Sequence, residues 1–260
     1  MTIAEMLTNL MFVSVSDFKE IKCLGNWMWS PKLDGEGYKL YEAVKYVEST
    51  LKKLEIGIDG GKDSLSMNTK IKDKVVMSPN TLVMSSYVLC PDITCKATPD
   101  FKKEGSTIIF IDLSYYHYNL GGSIFAQTLN QIGSQAPEFR NIDNFPKIFN
   151  YIQKLLKENK ILAGHDRSDG GLISTIVEMC ISSYVGCELS IKSDVDYISY
   201  LFNEELGLII EVENRYLEEI IENMNNYCPT IKIGETTKER KIKINFNYET
   251  IIENDVIYFW

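Results

Sequence analysis

Residues 161–172 read ILAGHDRSDGGL. A short apolar run leads into five polar or charged side chains, His165 to Asp169, then two glycines, then the apolar helical pattern LISTIVEMCISS. Apolar residues at strand spacing followed by a glycine turn and helical spacing predict a strand-to-helix loop. Two chemical readings of that loop stand side by side. Asp166 and Asp169 can bind a metal ion, Ser168 can donate to a phosphate or ribose, and a helix start favours anionic groups. In the plainer reading, Ser168 or Asp169 caps the helix and Arg167 pairs with a neighbouring acid. His165 fits either a hydrogen-bonded structural role or a general base.

Working outward, strands and helices alternate. TIAEMLTNLMFV, near the start, has apolar residues at helical intervals, and a second helix is predicted from Gly37 to Leu54 along Leu40, Val44, Val47, Leu51 and Leu54. Ile56–Ile58, Val75–Ser78 and Leu82–Leu89 read as strands. The polar, proline-bearing stretch 91–105 is the expected connection between two domains, 1–98 and 99–260. Beyond it, STIIFIDL is a buried strand, LGGSIFAQTLNQIG turns from glycines into a helix, and 143–159 is a further helix. GLIIEVE, TIKIGET and KIKINFN read as strands, and NRYLEEIIENMNN as a helix with an asparagine cap. The class is therefore α/β or α+β.

Composition narrows the function. A net charge of −9 argues against a general nucleic-acid binder. No stretch approaches the ~18 apolar residues of a membrane span. Six scattered cysteines without a CxxC pair predict reduced thiols and a cytoplasmic protein, with no zinc site of the usual spacing. The serines lack a GxSxG context, and His117 has no acidic partner nearby in sequence, so neither suggests a hydrolytic centre.

Two further constellations can carry chemistry. Glu5 and Asn9, four apart on a helix, share one face and can offer two oxygens to Mg²⁺; the alternative is a solvated pair on an exposed face. In IDGGKDSLSMN, residues 58–68, Gly60 and Gly61 allow close approach of a phosphate, with Lys62 and Ser64 as added donors. The stretch is not a P-loop, and a glycine-rich turn between strands explains it equally well.

Taken together, AEMLTNL, GNWMW, GGKDSLSM, LGGSIFAQ, GHDRSDGGL and LFNEELG resemble, in order and spacing, the large single-chain phosphoribosylformylglycinamidine synthase family. The resemblance covers almost the whole chain and is to the second synthetase half of that enzyme. It implies an aminoimidazole ribonucleotide synthetase-like unit: an N-terminal α/β domain forming half of a shared β-barrel, and a C-terminal α/β domain carrying HDRSDGG. The implied reaction is ATP-dependent amidation of formylglycinamide ribonucleotide with glutamine-derived ammonia. The implied boundaries are those of a fragment, with an aspartate-bearing strand upstream of Met1 and a glutaminase domain after DVIYFW.

By the same resemblance Glu5, Asn9 and Asp166 match Mg²⁺ ligands and Ser168 a nucleotide contact, in a site that holds ADP and Mg²⁺ without turnover. Gly61 matches a nucleotide-binding position and Ser64 a substrate-binding one; no residue matches a catalytic one. Three functions follow as expectations. The chain is part of a catalytic synthetase completed by the remaining domains, a structural ADP–Mg²⁺-binding scaffold, or a stand-alone synthetase acting as a homodimer through its half-barrel. GNWMW and FNEELG count against the third.

Overall fold

A computed structural model describes residues 1–260. The chain forms two compact units, one made of Thr2–Leu7 and Val15–Pro91, the other of Met1, Thr8–Ser14 and Asp92–Trp260.

The smaller unit is built on a three-stranded sheet of β1 (Lys22–Met28), β2 (Gly57–Ser64) and β5 (Thr81–Tyr87), in the order β2-β1-β5. β1 and β2 run parallel, as a strand–helix–strand crossover requires, and α2 (Glu36–Leu54) makes the crossover. Val47, Leu51 and Leu54 of α2 are buried, whereas Val44, expected on the same stripe, is exposed, so only the C-terminal half of the helix faces a core. A hairpin of β3 (Asn68–Ile71) and β4 (Lys74–Met77) projects as a separate two-stranded sheet.

The glycine-rich stretch does not form a turn: Gly60 and Gly61 lie inside β2. The reason is close strand packing. Gly61 has φ of 148°, and a Cβ there would run into the carbonyl oxygen of Gly25 on β1.

The larger unit holds a seven-stranded sheet in the order β12-β11-β8-β10-β6-β9-β7. Its strands are β6 (Thr107–Asp112), β7 (Ile161–Arg167), β8 (Gly186–Ile191), β9 (Gly207–Val212), β10 (Thr230–Thr237), β11 (Lys241–Phe246) and β12 (Glu249–Asp255). Only β8 and β11 pair in parallel. Every residue of β6 and of β9 is buried, which explains their central apolar runs, Ile108–Ile111 and Leu208–Ile210. One side of the sheet contributes Ile108, Phe110, Ile209, Ile242 and Ile244 to a core shared with α5 (Gly171–Ile181) and α6 (Tyr197–Phe202). α3 (Ile124–Thr128), α4 (Phe145–Lys157) and α7 (Leu217–Met224) complete the helices, and α4 buries Phe145, Ile148, Phe149, Ile152, Leu155 and Leu156.

The N-terminal segment threads this unit. Gln153 of α4 donates from Nε2 to the carbonyls of Met11 and Val13, both at 2.9 Å, and a Cβ on Gly164 would strike the Phe12 ring.

Three local expectations are corrected. His165, Asp166 and Arg167 belong to β7, because their backbone groups pair with Ile209, Leu208 and Gly207 of β9; the loop is confined to Ser168–Gly170. α5 has no side-chain cap: its N-cap is Gly170 at φ 80°, so neither Ser168 nor Asp169 fills that position. α7 starts behind Tyr216 with no side-chain cap, because Asn214 instead accepts from Thr107 Oγ1 at 2.6 Å and donates to the Gly105 carbonyl at 3.2 Å.

Candidate functional site

Alternation along β7 sends neighbouring side chains to opposite faces. Arg167 goes inward and is fully buried, its guanidinium 4.9 Å from the Phe110 ring. Nε donates to the Glu205 carbonyl, Nη2 to the Leu206 carbonyl at 3.0 Å, and Nη2 lies 3.5 Å from Asp112 Oδ1. Burial lowers its pKa, opposed by the Asp112 carboxylate. Arg167 therefore does pair with an acid, but its main work is to anchor the backbone of the FNEEL segment.

Asp166, on the other face, is 7% exposed. Its Oδ2 accepts from Thr8 Oγ1 at 3.3 Å, which brings the end of α1 (Thr2–Thr8) against the HDRSDGG segment. Asn9 follows Thr8 directly and is exposed; Glu5, one turn earlier in α1, is exposed as well, while Ala4, Leu7 and Thr8 are buried. Ser168 is half-buried at the strand end, and its carbonyl accepts from Gly171 N–H at 3.0 Å, closing the turn into α5.

Asp166, Asn9 and Ser168 thus fall within one unit, on two segments joined by the Thr8 bond. Glu5, Gly61 and Ser64 belong to the other unit. There Ser64 accepts from Lys62 Nζ at 2.6 Å, and the lysine is exposed.

Both ring nitrogens of His165 are engaged. Nδ1 lies 2.8 Å from the Asp166 carbonyl, and Nε2 lies 3.0 Å from Glu178 Oε2. The hydrogen bond to the Asp166 carboxylate, whose Oδ1 lies 3.3 Å from Nδ1, raises its pKa against the opposing effect of burial.

Within the larger unit, Asp166 and Asn9 offer carboxylate and amide oxygens only, which fits a hard cation such as Mg²⁺ and not a soft metal. No group of three or more His, Cys, Asp or Glu side chains comes together as a preformed cage. A cation here would complete its shell with phosphate oxygens and water, the usual habit of Mg²⁺.

Sequence reading missed two parts of this site. Thr8 carries no motif of its own, and its contact with Asp166 spans 158 positions. The FNEEL acids were visible as a motif but not as chemistry. Glu205 is fully buried, its Oε2 taking Arg140 Nη1 at 2.6 Å, and Glu204 Oε1 accepts from the backbone N–H of both Gly170 and Ile124.

A seven-stranded mixed sheet whose strand end carries Asp166 and Ser168 into a glycine-led helix defines a class. The family model described as AIR synthase related protein, C-terminal domain, matches residues 103–247, and the chain belongs to that family. Residues 1–89 match the FGAR-AT PurM_N-like domain. Within the family the chain is homologous to a segment of the phosphoribosylformylglycinamidine synthases. It is 41% identical over 253 residues to the Dictyostelium discoideum protein of that name, covering 91% of this chain and 19% of the other. The chain thus spans about a fifth of the length of the curated relatives it matches. The fold is also that of Thermotoga maritima PurL. The structure complexed with FGAR gives a TM-score of 0.75 at 12% identity, covering 98% of this chain and 41% of that one. The structure complexed with ATP gives 0.70 at 11% identity, covering 98% and 40%.

Proposed function

We propose that this chain is the second synthetase half of a phosphoribosylformylglycinamidine synthase and that its HDRSDGG segment holds ADP or ATP together with Mg²⁺. The whole enzyme would phosphorylate the amide oxygen of formylglycinamide ribonucleotide, and glutamine-derived ammonia would then displace phosphate to give the amidine. The remaining domains would supply the ammonia and the rest of the synthetase. The observation that carries the reading is the Asp166 carboxylate, tied through Thr8 to the segment bearing Asn9 and two residues before Ser168 in the turn that leads into α5. Relatives named for this synthase, and a like-folded protein complexed with ATP, support it.

In this reading Asp166, Asn9 and Glu5 hold the cation, and Ser168 contacts the nucleotide. Mg²⁺, when bound, offsets the negative charge of the phosphates. Gly61 and Ser64 would serve a nucleotide and substrate site completed by the other synthetase half. A holding role for the HDRSDGG site, instead of turnover, is favoured because His165, the nearest candidate base, already has both ring nitrogens occupied. Six free thiols agree with a reducing, cytoplasmic setting.

The test is thermal unfolding with ADP and Mg²⁺. A ligand at ~100 times its dissociation constant adds ~2.7 kcal/mol, so the midpoint should rise for the wild type and not for Asp166→Asn. An equal rise in both proteins would remove the metal assignment.

A further inference from the structure

The helix α5 begins without a local cap, yet its first N–H groups are not idle. Gly170 N–H donates to Glu204 Oε1 at 2.8 Å. The same oxygen accepts from Ile124 N–H, also at 2.8 Å, at the first residue of α3. One carboxylate oxygen therefore serves the heads of two glycine-led turns, SDGG before α5 and LGGS before α3. The donors lie 34 and 80 positions from Glu204 in sequence.

The base from which Glu204 reaches is rigid. Asn203, fully buried, donates from Nδ2 to the Ser199 and Tyr200 carbonyls at 2.7 and 2.9 Å. Arg167 holds the Glu205 and Leu206 carbonyls, and Glu205 holds Arg140 through Oε2. Glu204 itself is half-buried between these two fixed neighbours. The turns it binds are glycine-led: Gly122, Gly170 and Gly171 sit at φ 78°, 80° and 75°, in the left-handed region that glycine enters most readily. Charge-assisted hydrogen bonds to a fixed acceptor are what such turns need to hold one geometry.

We propose that Glu204 is a positioning residue that couples the LGGS loop to the SDGG turn, so that the two order and loosen together and Ser168 is presented correctly only while both are held. Displacing the LGGS loop withdraws a donor from Glu204 and frees the carboxylate to leave Gly170. The link between loop and turn stands on its own; its effect on nucleotide rests on the function proposed above.

The experiment is residue-resolved amide hydrogen exchange on the full chain, paired with titration of ADP in the presence of Mg²⁺. In Glu204→Ala, exchange at Gly170 and Ile124 should rise together by about tenfold or more, as loss of a charged acceptor implies. In Glu204→Gln, which keeps an oxygen acceptor without the charge, the same pair should rise by less. If the alanine variant fails to fold, the glutamine pair decides. A rise at one position alone, or at neither, overturns the coupling. ADP affinity should fall at least tenfold in Glu204→Ala and recover most of that loss in Glu204→Gln. A wild type that binds no ADP refutes the nucleotide reading while the exchange result still decides the coupling. If the wild type binds and Glu204→Ala binds equally well with both amides exposed, the positioning role is overturned.

Discussion

Arg167 and Asp166 are adjacent and do opposite things. The arginine is fully buried, so the cost of its charge is met by Asp112, by the Glu205 and Leu206 carbonyls and by the Phe110 ring. Arg167→Leu would leave two carbonyls without their donor and the buried Asp112 carboxylate without its ion-pair partner. Breaking a buried pair in this way costs ~3–5 kcal/mol, which urea unfolding of the variant should register; a loss below ~1 kcal/mol would show that the network is dispensable. Asp166 accepts a long hydroxyl contact on Oδ2 and has His165 Nδ1 at 3.3 Å from Oδ1, and a carboxylate so held retains lone pairs for a cation. Both residues were legible in the sequence as polar groups at a strand end. Their division of labour was not, because it depends on the facing set by β9 register and on partners far away in the chain.

Among the elements, strands rich in apolar residues or alternating apolar with polar were readable, and those broken by glycine and charge were not. β6 and β9 announce themselves by three or four apolar residues in a row, since both faces are covered. β1, β8 and β12 interleave glycine, polar and charged residues and gave no strand signal; β12 is the outer strand of its sheet, with acidic residues along it. β9 also carries Glu211, fully buried, which accepts from Lys102 N–H at 2.7 Å, from Lys103 N–H at 3.0 Å and from the Ser106 hydroxyl. Burial pushes its pKa up, against those hydrogen bonds. The folded state thus holds this proton to higher pH than the unfolded state does. Its contribution to stability is fully present below the ordinary glutamate range and declines as pH rises to the folded pKa. Comparing urea midpoints of wild type and Glu211→Gln from about pH 4 to about pH 7 should show the wild type losing ground to the variant as pH rises. A constant difference would mean that the carboxyl is not perturbed.

For the molecule as a whole, the alternation of strands and helices gave the α/β class, and the six motifs gave the family. The partition of Glu5 and Asn9 between two compact units could not be read from their spacing, because it depends on where the chain crosses between cores. The smaller unit leaves Leu24, Ile58, Val83 and Tyr87 of its three-stranded sheet exposed, between 39% and 48% each. Apolar strands left uncovered favour association, so sedimentation equilibrium should show a concentration-dependent dimer, and a monomer at all concentrations would contradict the shared half-barrel. A site that holds nucleotide without turnover should release no phosphate in response to formylglycinamide ribonucleotide and ammonia; sustained release would overturn the proposed holding role. The central claim is that HDRSDGG holds nucleotide through Asp166 and magnesium. Isothermal titration with ADP tests it most directly: saturable binding that requires Mg²⁺ and is lost in Asp166→Asn is predicted, and binding that is indifferent to both the cation and the substitution would contradict it.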